Sequence, residues 1–492
     1  MIRPLVRWVL IAAGSALFGL VLIALAAYWH FLRSGPEPRA WHQPVLEDFT
    51  AADAATISTL ADYRRLEDRL FSDLQERVYA RIEPGERVAF NRYSAGSRSD
   101  PGIWPVDWNR SFHLEPASPD GVSRGVALLL HGLTDSPYSL RSIGEHLASD
   151  GFEVVGLRLP GHGTAPSGLV TFRVEDMQAA VRMAMLDLGR QAGPDLPIYM
   201  VGYSNGAALA VDYTLAARED EALPKPAGLV LISPAIGISR FAALAQLRTG
   251  LSSVPGFERA AWQVIQIEFD PYKYNSFSFN AAGETHRLTR RLSQRVLELA
   301  KSGPIEGFPP VLVFLSTVDS TVLAEAVVDV LLEHLAPGNH ELVLFDVNRY
   351  SMVQQLLVSD PGPLTQRLLN MPRRTYGLTV ITNQSPETLQ IKELRAPPGS
   401  GEQSARPLDL AWPRTVFSLS HVALPFPPDD PLYGYEPAAV ADHVQLGRIE
   451  VRGENGVLTL PTWALTRQRS NPFHAYLIER LDAFVASDDP QP

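Results

Sequence analysis

The chain has 492 residues, 46% hydrophobic and 20% charged, an ordinary globular composition long enough for one large domain with insertions or for two domains. Its formal net charge is −11, and with no basic run it lacks the electrostatic footprint of a nucleic-acid binder. It has no cysteine, which excludes disulfide frameworks, thiolate metal sites and cysteine nucleophiles but leaves the redox compartment open.

The first element is apolar. Trp8 to Trp29 contains no charge and, as a helix, would span roughly 33 Å, enough to cross a hydrocarbon core. Trp8, Tyr28 and Trp29 stand where interfacial aromatics anchor a span, and Arg3 and Arg7 precede it. Ala24-Leu25-Ala26 offers a small-x-small cleavage site of the signal-peptide kind, but the apolar run is longer than a usual signal core. Residues 1–32 are therefore read as a retained transmembrane anchor. Arg33 and Arg39 on the far side weaken the positive bias; the short tail with Arg3 and Arg7 favours a cytoplasmic N-terminus and a catalytic domain on the non-cytoplasmic side.

Residues 33–120 read as a linker, rich in turn residues from Arg33 to Pro44, followed by a helical extension. Leu60, Tyr63, Leu66, Leu70, Leu74 and Val78 recur at three- and four-residue steps, which predicts a core-facing helix between about Ala52 and Arg81.

From residue 121 to 492 the pattern changes. "GVALLLHG", "FEVVGLRLPGHG", "PIYMVGYSNG", "AGLVLISPA", "PPVLVFLSTVDS" and "HELVLFDV" are short apolar strands, and amphipathic helical stretches separate most of them. Such alternation predicts an α/β fold, a mostly parallel sheet with helices on both faces. Residues 235–307 break the alternation and read as an inserted cap with the aromatic stretch "DPYKYNSFSFN". Beyond Val347, "LTVITN" and "TVFSLSHVAL" look like strands, "GRIEVRGENGVLTLP" like a hairpin about Asn455-Gly456, and "NPFHAYLIERLDAFVAS" like a closing helix.

"GYSNG" lies between a predicted strand and a predicted helix. A sharp turn there strains the serine backbone and presents the Ser204 hydroxyl at the carboxyl edge of the sheet, while Gly202 and Gly206 allow close approach. The Asn205 N–H at the helix start suits a developing oxyanion. A second donor is needed, and the Leu133 N–H, just after "LLLHG", is the natural one. His131 and His162, in two glycine-bearing turns, read as structural histidines that hold their loops.

In this order, "HGLTDSP", "LPGHGT", "GYSNG" and "STVDSTV" resemble the α/β-hydrolases of the monoacylglycerol lipase, lysophospholipase and serine aminopeptidase-like group. The resemblance covers roughly Arg124 to His340, the tail loosely, and the first 120 or so residues not at all. It implies an acid after a late strand, here Asp319, with an N-cap role as the competing explanation and Asp346 as the rival. The family pattern places the histidine after "HELVLFDV", yet "NRYSMVQQ" has none. His340 stands at the wrong end of that strand, and His443 and His474 lie in a polar segment and on the last helix. His421, at the end of "VFSLSH", is the expected base, with residues 349–414 an excursion between the last strand and its loop.

The resemblance thus implies a membrane-anchored serine hydrolase acting on a small-molecule ester or lipid through Ser204, His421 and Asp319. Phe241, Leu244, Phe269, Tyr272, Tyr274, Phe277 and Phe279 would line an acyl pocket or form the cap's own core. The alternatives are a peptidase, with Glu268, Asp270 and Glu284 as candidates to hold a free amine, and an inactive membrane-tethered binding protein on the same scaffold. Asp429 and Asp430 lack further ligands at metal spacing and read as turn residues. No cofactor or metal is expected, and the oligomeric state is open.

Overall fold

The computed structural model describes residues 2–33, 37–43, 46–118, 123–237, 258–319, 321–354, 362–371, 373–437, 443–447 and 467–486. Helix α1 (Ile2–Arg33) is the one described helix long and apolar enough to cross a membrane; its window Ile11–His30 has a mean hydropathy of 2.2. Its side chains Leu17, Phe18, Leu20 and Ile23 are exposed rather than packed on the fold. Helix α2 (Leu60–Arg77) is shorter than the predicted stretch because Thr59 caps it, accepting from the Asp62 N–H, and residues 51–55 form a separate 3-10 turn. Its buried residues Leu60, Tyr63, Leu66, Leu70, Phe71 and Leu74 keep the three- and four-residue spacing.

The central sheet has ten strands among the described residues: β1 (Phe112–Leu114), β2 (Gly125–Leu130), β3 (Phe152–Leu157), β4 (Ile198–Tyr203), β5 (Gly228–Ile232), then β6 (Val311–Ser316), β7 (Glu341–Phe345), β8 (Gly377–Asn383), β9 (Gln390–Ala396) and β10 (Ser404–Ala411). Their order is β1-β3-β2-β4-β5-β6-β7-β8-β9-β10. From β3 to β8 every neighbour is parallel; β1 and the pair β9, β10 are antiparallel additions at the edges.

The apolar runs are explained by burial on both faces. Along β2, Val126, Leu128 and Leu130 enter one core, while Ala127 and Leu129 enter the other. Met200 of β4 faces the first core, and Tyr199, Val201 and Tyr203 the second. Helices α4 (Val174–Ala192) and α5 (Asn205–Glu219) pack in the first core, and α3 (Arg141–Ser149) and the closing helix α7 (His474–Ala486) in the second. The fold is thus the expected α/β-hydrolase arrangement.

Three expectations change. The stretch read as a cap contains helix α6 (Phe279–Ala300), but its Leu288, Leu292 and Val296 belong to the first core, so it is a layer helix. Among the described residues of that stretch, 258–278, with a two-stranded ribbon (Trp262–Val264 and Phe277–Ser278), lie outside this layer helix and contribute to the cavity wall; Phe241 and Leu244 lie outside the described residues. The excursion 349–414 is not a bare connection but extends the sheet, contributing β8, β9 and β10, and the sheet begins before residue 121, with β1. "TVFSLSHVAL" is not a strand: Pro413 and Pro425 bracket it, and His421–Ala423 is a 3-10 turn. The hairpin about Asn455-Gly456 lies outside the described residues.

Candidate active site

Strand β4 ends at Tyr203 and α5 begins at Asn205, leaving Ser204 alone in the turn. Its backbone is in the left-handed half of the map, at φ 54°, ψ −113°, a conformation held against strain. Four bonds fix it: the Ser204 N–H donates to the Ile232 carbonyl (2.9 Å), and the Ser204 carbonyl accepts from Ala207 (3.1 Å), Ala208 (3.2 Å) and Ala235 (3.0 Å). A methyl group on Gly206 would meet the Leu130 carbonyl oxygen at 2.0 Å, and one on Gly202 the Ala207 Cα at 2.4 Å. Both glycines are therefore required by close backbone approach rather than by turn shape alone.

The structure brings Ser204, His421 and Asp319 together across 217 and 102 residues of chain. Asp319 Oδ2 is 2.8 Å from His421 Nδ1, and His421 Nε2 is 3.0 Å from Ser204 Oγ. A carboxylate only accepts, so Nδ1 carries the proton and Nε2 presents its lone pair to the serine hydroxyl. The other Asp319 oxygen accepts the N–H groups of Thr321 (2.8 Å) and Val322 (3.0 Å). Burial pushes the Asp319 carboxyl up, but the neighbouring His421, with these N–H donors, outweighs it and holds the group below its usual range. Asp346, the rival acid, is elsewhere engaged: Arg349 pairs with it at 2.9 Å, and Thr382 donates to it.

The loop after β7, which has no histidine, buttresses the segment that leads to one. Asn348 donates its N–H to the Phe417 carbonyl (2.7 Å) and its Nδ2 to the Val416 carbonyl (3.0 Å). On the far side, Ser420 donates to the Gln468 carbonyl, and Asn471 donates to Leu424 (3.3 Å) and Phe426 (2.7 Å). Tyr203, adjacent to the serine, donates to the His421 carbonyl at 3.4 Å, with the two rings 5.4 Å apart.

Leu133 lies in the loop after β2, where Thr134 also adopts positive φ (67°). Among the described residues neither the Leu133 nor the Asn205 N–H donates a hydrogen bond, so both remain open to a ligand. The Thr134 carbonyl accepts from the Tyr274 N–H (2.8 Å), and Asp135 pairs with Lys273 (2.9 Å), tying this loop to the segment above it. His131 accepts from the Leu159 N–H through Nε2 (3.0 Å) and donates to the Gly132 carbonyl through Nδ1 (2.8 Å); burial lowers it well below the ordinary histidine range. His162 donates to Pro160 (2.9 Å) and is lowered to about 4 by burial. Both imidazoles hold their loops and neither touches Ser204. His443 stacks on Trp104 (4.3 Å), while His340 and His474 are buried away from the serine.

A cavity of about 470 Å³ is lined by Val422, the residue after His421, and by Asp135 of the loop after β2, but by none of Ser204, His421 and Asp319 themselves. Val264, Val422 and Phe426 give it an apolar wall, with Phe269, Tyr274 and Phe277 from the predicted aromatic set. Tyr272 instead stacks on Tyr138, at 4.3 Å, within a small aromatic core. The three acidic candidates are committed to protein groups. Glu268, buried and raised by that burial to about 7, accepts the N–H groups of Asn275 (2.7 Å) and Ser276 (2.9 Å). Asp270 accepts from Tyr433, Tyr272 and Lys273, and Glu284 accepts from the Val174 N–H (2.7 Å). Asp430 accepts from Tyr138 (2.9 Å) and from Leu432 and Tyr433, which is turn chemistry. Among the described residues no group of three or more His, Asp or Glu side chains is gathered as a metal site. Sequence reasoning gave no role to Tyr203 within "GYSNG", to Asp135 within "HGLTDSP" and its partner Lys273, or to Arg467, another cavity-lining residue, because the contacts they make are set only by the fold.

Residues 121–349 match the family described as serine aminopeptidase, S33. No curated protein sequence matches the chain. Among solved structures, it is similar to a metagenome-derived lipolytic enzyme, with 20% identity over 48% of this chain and 87% of that one and a TM-score of 0.38. It is also similar to the monoglyceride lipase of Saccharomyces cerevisiae, solved with a substrate analogue, with 13% identity over 48% and 82% and a TM-score of 0.38. The monoacylglycerol lipase of Paleococcus ferrophilus matches with 21% identity over 48% and 88% and a TM-score of 0.36.

Proposed function

We infer that this chain, an α/β hydrolase of the serine aminopeptidase-like and monoglyceride-lipase group, is a serine hydrolase that cleaves carboxylic esters through an acyl-enzyme. The observation that carries the reading is the continuous hydrogen-bonded series Ser204–His421–Asp319, with contacts of 3.0 and 2.8 Å. His421 takes the Ser204 proton as the oxygen attacks the ester carbonyl, then returns it to the departing alkoxide. Asp319 fixes the tautomer and stabilises the imidazolium. The Leu133 and Asn205 N–H groups receive the carbonyl oxygen as it becomes negative. Water enters on the second pass, with the same imidazole as base, and frees the acid.

The apolar wall of the cavity supports an ester with an aliphatic or aromatic part rather than a peptide. An aminopeptidase needs a carboxylate aimed at a free amine, and Glu268, Asp270 and Asp135 are already bonded to protein groups. With α1 as a retained anchor, the substrate is a lipid-like ester and the catalytic domain lies outside the cytoplasm. Residues 1–32 are the anchor and the following residues the extension, with the hydrolase domain beginning at β1 rather than at residue 121.

Labelling with a neutral fluorophosphonate tests the reading. Wild-type protein is expected to label, and Ser204→Ala and His421→Ala are expected not to. Labelling that persists in Ser204→Ala refutes the assignment, and an unlabelled wild type leaves the scaffold without hydrolase chemistry. Hydrolysis of esters but not aminoacyl amides is expected from the labelled enzyme.

A further inference from the structure

The cavity that Val422, the residue after His421, helps to line is not electrically neutral. Its wall holds three cations, Lys273, Arg467 and Arg469, against two carboxylates, Asp135 and Asp270. Lys273 is paired with Asp135 at 2.9 Å, and Arg469 stands 3.9 Å from Asp270. Asp270 is further satisfied by both contacts of the Tyr433 hydroxyl (2.8 Å each) and by two backbone N–H groups. Arg467 is left: among the described residues it makes no ion pair and no hydrogen bond, and it is only partly buried.

Its position ties it to the reaction centre. Arg467 precedes Gln468, whose carbonyl accepts from Ser420, the residue before His421. Burial raises the Tyr203 hydroxyl, and the charge of Arg467 opposes that rise, so the guanidinium lies within electrostatic reach of the residue next to the nucleophile. A guanidinium with unfilled donors beside an apolar wall is suited to a carboxylate or phosphate attached to an apolar group. A neutral ester would leave that partly desolvated charge without a partner.

We propose that Arg467 makes this cavity an anion-recognition pocket, and that the esters the enzyme prefers carry a carboxylate or phosphate group beside their apolar part. The inference rests on the serine-hydrolase reading for turnover, but the pocket itself is readable without it. Arg467 binds the substrate's charge and fixes which esters reach Ser204.

The test uses the full chain in detergent, comparing wild type with Arg467→Gln and Arg467→Lys. Three esters of one chain length are compared: a neutral one, one with a terminal carboxylate on the acyl part, and one with a phosphate on the alcohol part. Wild type is expected to prefer at least one anionic ester, and that preference is expected to weaken as ionic strength rises. Arg467→Gln is expected to raise KM for that ester about tenfold or more, and to affect kcat and the neutral ester much less. Arg467→Lys, which keeps a point charge, is expected to restore part of the loss. Whichever anionic ester responds shows on which side of the scissile bond the charge sits. Equal use of all three esters by wild type, or a parallel loss on neutral and anionic esters in Arg467→Gln, overturns the proposal. If fluorophosphonate fails to label wild type, the hydrolase reading fails separately. Equilibrium binding of the anionic esters to Ser204→Ala, with and without Arg467→Gln, then still decides whether the pocket holds an anion.

Discussion

Asp319→Asn isolates the role of the acid without disturbing its surroundings. In the native site one carboxylate oxygen accepts the N–H groups of Thr321 and Val322, and the other faces His421 Nδ1 at 2.8 Å. An asparagine must keep its carbonyl oxygen on the two N–H donors, because an amide NH₂ there would oppose them. Its NH₂ is then directed at His421 Nδ1, which can only accept, so the ring proton moves to Nε2. That proton points at Ser204 Oγ, 3.0 Å away, where a lone pair is needed. Enforcing the wrong tautomer in a triad costs about ten-thousandfold in kcat, equivalent to about 5.4 kcal/mol of transition-state stabilisation. The expected result is a kcat on a neutral chromogenic ester reduced about ten-thousandfold, a fluorophosphonate labelling rate reduced in step, and a nearly unchanged melting temperature. A variant that melts like wild type yet retains more than about a tenth of the activity would show that Asp319 does not set the histidine tautomer, and the mechanism would need another acid.

Two further perturbations follow. Arg158 is fully buried and holds Asp48 through two contacts (2.8 and 2.9 Å) and Glu67 through one (2.9 Å), joining the N-terminal extension to the loop after β3. Arg158→Met strands two carboxylates and is expected to cost about 3–5 kcal/mol, read from the midpoint of chemical denaturation; a shift under about 1 kcal/mol would mean the network is solvated. Stability is also expected to fall as pH drops from about 6.5 towards 4. Burial holds His42 down at about 3 and His162 and His474 at about 4, so below pH 6.5 the unfolded chain takes up protons that the folded one refuses. Glu268, raised by burial to about 7, works in the opposite direction and offsets one of the three. Over these four groups the loss is roughly 3 kcal/mol per pH unit between about pH 6.5 and 4.5, and His131, also held low by burial, adds to it. Thermal melts at a series of pH values check it, and a flat profile between pH 7 and 5 refutes it.

The legible parts of the sequence are those in which local pattern and burial agree. Strands β2, β4, β5, β6 and β7 are buried on both faces and read as unbroken apolar runs. Ser204 was legible because a strand, a lone serine between glycines and a helix follow one another within a few residues. Strands β9 and β10 are not, since polar residues interrupt both "QIKELRA" and "SARPLDLA", and β10, the edge strand, is mostly exposed. The segment before His421 imitates a strand in composition, yet its Val416 and Phe417 carbonyls accept from Asn348 and its Ser420 hydroxyl donates to Gln468 of the strap 467–471 instead of joining a sheet ladder. Arg467 carries no period and no motif; its meaning comes only from what the fold gathers around it.

The displaced histidine shows how a site tolerates insertion. Lengthening a connection from a few residues to about seventy adds only about 2 kcal/mol of closure entropy. Burial of Leu378, Val380 and Ile381 on β8 is enough to offset that, at about 1.5–3 kcal/mol each. Chain length therefore cannot fix where His421 sits. Its position is set from three sides: by Asn348 after β7, by Gln468 and Asn471 on the strap, and by Tyr203 next to the nucleophile. The first and last of these belong to the sheet that also positions Asp319 and Ser204. All three reacting side chains are thus referred to one rigid element, and the intervening strands can grow at the sheet edge without moving the imbidazole–hydroxyl contact.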